Sequence, residues 1–60
     1  MIAIKSHIKT HHDGSQSAFS RAVGVDRQQV TKWISRGFIV TSDGWIINPK
    51  NHKRVANDRD

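Results

Sequence analysis

Glycines at positions 14, 24, 37 and 44 cut a chain of 60 residues into short segments, and each segment carries its own hydrophobic period. That punctuation limits the chain to brief helices and strands joined by tight turns. Before Gly14, Ile4 and Ile8 stand at i and i+4 with Lys5, Lys9 and His12 on other sides, which predicts a short amphipathic helix over residues 1–13. Ser15 is a good N-cap for a second helix, Gln16 to Val23, whose Phe19, Ala22 and Val23 share one face. Gly24 stops it, because glycine enters the left-handed backbone region cheaply, and Val25 and Asp26 supply a hinge residue and a cap for a third helix running to about Arg36. In that third helix Val30, Trp33 and Ile34 form the inner face, and Arg27, Gln28, Thr31, Lys32 and Ser35 the outer one.

Beyond Gly37 the period changes. Phe38 to Thr41 and Trp45 to Ile47 are β-formers around Asp43-Gly44, a signal for a type I′ turn. A two-residue turn sets Ser42 opposite Trp45, Thr41 opposite Ile46 and Val40 opposite Ile47. Phe38, Val40 and Ile47 then share one face, and Ile39 and Ile46 the other. With both faces apolar, one packs on the helices and the other needs a cover, for which a second copy of the chain is the natural candidate. Pro49 ends the second strand, and Lys50 to Asp60 is polar, with Lys50, Lys53, Arg54 and Arg59. The expected architecture is therefore α+β: a three-helix helix-turn-helix domain followed by a two-stranded antiparallel β-hairpin over residues 1–48, then a flexible basic tail over 49–60.

Ten Lys and Arg against five Asp, with no Glu, give a net charge of +5, which points to a polyanionic partner, nucleic acid ahead of anionic lipid. The absence of Cys removes disulfides, thiolate nucleophiles and sulfur-based zinc sites, and fits a reducing cytoplasm. No apolar run approaches the roughly 20 residues of a membrane helix. A domain this small hides only roughly 60% of its unfolded surface, too little for a deep catalytic cleft, and a partner adds stability. No paired carboxylate, no assembled Ser-His-Asp spacing and no glycine-rich phosphate loop speaks for an enzyme or a small-molecule substrate. His7 and His11 at i and i+4, with His12 adjacent, suggest metal ligation, yet without Cys or Glu and with only Asp13 nearby no ligand set is complete. No metal and no cofactor are expected.

Two amphipathic helices joined across a glycine turn, the second with a donor-rich outer face, have the layout of a helix that reads the major groove. Arg27 and Lys32 can donate to guanine O6 and N7, Gln28 can pair with adenine, and Thr31 can meet a base edge or a thymine methyl. Gln16, Ser17 and the amides at that helix start suit a phosphate, although a plain N-cap explains Gln16 equally well. Arg21, Arg36, Lys5 and Lys9 would add sequence-independent attraction. The same outer face also suits a merely solvated helix.

Residues 4–48 resemble the Cro repressors of temperate bacteriophages, in their lambda type of three helices and a hairpin. Gln16, Gly24-Val25, Val30, Lys32, Ile34 and Gly37 in a common register, with Asp43-Gly44 at the turn, carry the likeness. The resemblance implies a homodimeric transcriptional repressor on short pseudo-palindromic operator DNA, working in the bacterial host cytoplasm at the nucleoid in the choice between lytic and lysogenic growth. It assigns base reading to Arg27, Gln28, Thr31 and Lys32, a phosphate contact to Gln16, and the dimer strand to Trp45, Ile46 and Ile47. The shorter hairpin, Trp33 in place of a small residue and a different recognition face depart from the family, so no operator sequence carries over. Two other classes compete: an antitoxin-like or anti-repressor subunit docking a protein through the hairpin, and an architectural excisionase that bends DNA.

Overall fold

The computed structural model describes residues 1–58 and has three helices and a four-stranded antiparallel sheet. In chain order these are β1 (Ile2–Ala3), α1 (Ile4–His11), α2 (Gln16–Val23), α3 (Arg27–Ser35), β2 (Ile39–Val40), β3 (Trp45–Ile47) and β4 (Arg54–Asn57). The fold class is α+β, as expected, with the strand count doubled. The sheet order is β1-β2-β3-β4.

The helices form where the caps and periods put them. Ser15 has an extended backbone and its hydroxyl accepts the Ala18 N–H at 3.1 Å, the bond an N-cap serine is chosen for. Gly24 sits at φ 84°, and its amide and that of Val25 both donate to the Ser20 carbonyl, closing α2. Asp26 occupies the N-cap position of α3 through its backbone, and its side chain makes no capping bond. Phe19 and Val30 are fully buried, and Trp33 stacks on Phe38 with ring centroids 5.9 Å apart. Together with Ile4, Ile8, Val40 and Ile46 they make one continuous core between the helices and the sheet.

The N-terminus, the hairpin register and the tail differ from expectation. Residues 2 and 3, counted with the first helix, form β1, pairing Ile2 with Val40 and Ala3 with Ile39. Two residues are too few to display a period of their own, so only tertiary pairing identifies them. The hairpin turn is not type I′: Asp43 has negative φ and only Gly44, at φ 89°, is left-handed. The Gly44 amide donates to the Thr41 carbonyl at 3.0 Å and the Thr41 amide to the Trp45 carbonyl at 2.9 Å, which makes a three-residue loop. One extra loop residue shifts the register, pairing Val40 with Ile46 and Ile39 with Ile47. Val40 and Ile46 therefore share the core face, where the shorter turn would have set them on opposite faces.

The segment expected as a flexible tail over 49–60 folds back instead, and the unit expected to end at residue 48 continues through residue 58. Asn48 and Asn51 build the reversal: their side chains accept the amides of Lys50 and Lys53 at 2.9 and 3.0 Å, and His52 takes φ 60°. β4 then pairs with β3, with a bulge at Val55 between the Ile46–Ala56 and Ile47–Arg54 pairs. Its end is tied to α1, where Asp58 Oδ2 lies 2.6 Å from His7 Nε2 and 2.7 Å from His12 Nε2. Asp58 thus takes the place next to the histidines that the sequence offered to Asp13. Arg59, counted with the basic tail, lies outside the described residues.

Candidate nucleic-acid interface

α3 presents Arg27, Gln28, Thr31, Lys32 and Ser35 to solvent, the face that its period assigned to them. The start of α2 lies against the start of α3. The Arg27 guanidinium donates to the Ser17 hydroxyl at 3.4 Å, and the Thr31 hydroxyl lies 3.5 Å from Gln16 Oε1. Four residues from two helices, ten to fifteen positions apart in sequence, thus share one exposed surface. Close approach of the helices is possible because Ser20, small and buried, folds its hydroxyl onto the Ser17 carbonyl at 2.8 Å and leaves the contact to Phe19 and Val30. Thr31 also donates to the Arg27 carbonyl at 3.2 Å, which fixes its rotamer.

The surface carries more cations than carboxylates, with exposed Asp26 at the start of α3 the acidic member. The Ala18 and Phe19 amides are bound by Ser15, whereas those of Gln16 and Ser17 precede the first intrahelical bond, where the helix dipole favours an anion. Lys5, Lys9 and Gln16 line one groove with Ile8, Asp13 and Ile34, so two lysines of α1, with one carboxylate beside them, adjoin the start of α2. At the far end of α3, Arg36 lines a second cleft with Phe38, Asn48, Pro49 and Lys50. The turn before β4 thereby brings Lys50 beside the α3 terminus. Lys50 and Lys53 on this turn, with Arg54 at the start of β4, are exposed cations in ordered structure rather than in a flexible tail. Their signal in the sequence was the Asn48-Pro49 pair followed by Asn51, a run of turn chemistry. Arg21 is exposed on α2, apart from the hydrogen-bonded group.

The dimer strand assigned to Trp45, Ile46 and Ile47 is β3, and both of its edges are taken, by β2 on one side and β4 on the other. Ile46 is fully buried and Ile47 nearly so within the single chain. A second copy therefore cannot pair along β3; β1 and β4 are the edge strands. Trp45 remains half-buried under the Arg54 guanidinium, 4.8 Å from the ring centroid.

At the tip of this hairpin the Thr41 hydroxyl donates to Asp43 Oδ1 at 2.6 Å. That bond holds the Asp43 carboxyl below the ordinary carboxylate range, with the Asp43 backbone amide and the Arg54 charge acting in the same direction. Among the described residues no helix is long and apolar enough to cross a membrane. No protein-family model matches the chain, and neither a curated protein nor a solved structure does.

Proposed function

We propose that the chain is a sequence-specific DNA-binding transcriptional repressor of helix-turn-helix type, in keeping with its likeness to the Cro repressors. In this reading α2, the Gly24 turn and α3 are the motif, α3 enters the major groove, and the start of α2 meets the backbone. Arg27, Gln28, Thr31 and Lys32 read base edges. Gln16 and Ser17 hold a phosphate, and Arg21, Arg36, Lys5 and Lys9 add salt-sensitive attraction. The observation that carries the reading is the surface that gathers Gln16 and Ser17 with Arg27 and Thr31. Donors for backbone and for bases stand side by side there, and they are held by side chains rather than by loops. Repression follows from occupancy of an operator that overlaps a promoter, and no cofactor enters.

The partner set is duplex operator DNA and a second copy of the chain, with dimerisation through the β4 edge rather than β3. Val55, exposed on that edge, is the apolar residue it offers. A second reading stays within DNA binding. A helix followed by a hairpin whose turn carries Lys50 and Lys53 suits an architectural protein that bends duplex DNA, the excisionase type. β1 and β4 take the edges of the hairpin rather than its outer face, where Ile39 and Trp45 stay half-buried, and the protein-docking alternative rests on that face.

Amide chemical-shift mapping with duplex DNA tests the interface. Shifts concentrated at residues 16–17 and 27–32, with smaller ones at 50–54, are expected. Shifts confined to the sheet, with α3 unmoved, would overturn the assignment.

A further inference from the structure

Away from the α2–α3 surface, the chain brings two imidazoles and a carboxylate together inside the fold. His7 comes from the inner side of α1, His12 from the position that caps it, and Asp58 from the residue after β4. Both histidines aim Nε2 at the same Asp58 oxygen, and the three side chains are 9%, 6% and 0% exposed. The ligand atoms all lie within 4.8 Å of one another. We propose that His7, His12 and Asp58 form a site for a divalent transition-metal ion, zinc foremost, that clamps the end of β4 to α1.

The donor chemistry selects the ion. Two neutral imidazole nitrogens and one carboxylate oxygen suit zinc and its first-row neighbours, whereas calcium and magnesium call for an all-oxygen shell. Metal–ligand bonds of about 2.0–2.2 Å at tetrahedral angles set ligand atoms about 3.3–3.6 Å apart. The nitrogen–oxygen pairs at 2.6 and 2.7 Å therefore open by about 0.6–1 Å to admit the ion. His7 and Asp58 also line a cleft with Ile2, His11, Thr41 and Asn57, from which a water can complete the shell.

Metal binding needs a bare lone pair on each Nε2: an imidazole that is neutral without metal moves its proton to Nδ1, and one that is protonated releases a proton.

The site is independent of the DNA-binding reading, and its test uses no DNA. Full-length protein stripped of metal is titrated with zinc against a chromophoric chelator, and with cobalt followed by visible absorption. One ion per chain is expected, with an intense tetrahedral cobalt spectrum and an upward shift of the melting temperature. In the wild-type protein, imidazole nitrogen resonances of His7 and His12 move, and that of His52 does not. Loss of an outer-sphere partner alone weakens metal sites by about 10–100-fold, so D58N and H12Q, checked for fold by circular dichroism, lose at least about that much affinity. H52A keeps wild-type affinity. Failure to take up zinc or cobalt at stoichiometry would overturn the proposal. So would uptake that D58N leaves unchanged and H11A abolishes, which would place the ion on the His7–His11 pair along α1.

Discussion

Arg27 reaches across from α3 to the Ser17 hydroxyl, so its guanidinium is held over the surface before any ligand arrives. If it reads a base edge, R27A costs about 1–3 kcal/mol on the cognate site and little on random duplex, measured by fluorescence anisotropy. Equal losses on both would assign Arg27 to the phosphates. A second residue-scale test concerns Asp43. Its folded carboxyl titrates below the ordinary value of 3.8, so the stabilisation it brings is complete above that pH and is lost as the pH falls through the lower folded value. Carboxyl-carbon resonances should show a midpoint below 3.8 that rises in T41V; a wild-type midpoint at or above 3.8 would contradict the Thr41 bond. The outer face of α3 was legible from a helical period alone, since Arg27, Gln28, Thr31 and Lys32 are neighbours on one helix. Asp58 was not legible as a histidine partner, because 51 and 46 residues separate it from His7 and His12 and no local pattern spans that distance.

Helices were readable because caps and periods are local: Ser15, Gly24 and Gly37 delimit α2 and α3 within a residue. Strands were readable only where β-formers ran together. β4 reads Arg-Val-Ala-Asn, with Val55 its one strong β-former, and gains its place from pairing with β3 and from the Asn48 and Asn51 turns. The hairpin register followed from a dipeptide that fits two turn types, and negative φ at Asp43 decided for the longer loop. Gly44 shows how closely β4 is fitted. A Cβ there would collide with the Asp58 carbonyl, whose own amide donates to the Gly44 carbonyl at 2.8 Å. G44A is expected to lose about 1–3 kcal/mol from the left-handed backbone alone, and more from the collision, in a denaturant melt. A chain stopped after Asn48 tests the element as a whole. With β4 integral to the sheet it loses its dispersed amide spectrum, whereas a folded, stable truncation would restore the flexible-tail reading.

At the scale of the molecule, the proposed function divides the work: +5 of net charge on 60 residues would set affinity for any duplex, and the α2–α3 surface would set which duplex. Lys53, on the turn before β4, belongs to the first term. K53A should weaken cognate and random duplex alike and lower the slope of log affinity against log salt by about 1. A loss confined to the cognate site would give that turn a reading role. With β3 enclosed, a dimer under the proposed function would meet at an edge strand, and its recognition helices would have to stand about 34 Å apart to enter successive major grooves. The most direct test of this account is selection of bound sites from a random duplex pool at near-physiological salt, where mere charge attraction is suppressed. The account predicts recovery of two half-sites related by two-fold symmetry, about one helical turn apart. Recovery of no shared sequence, with binding that vanishes as salt rises, would contradict it.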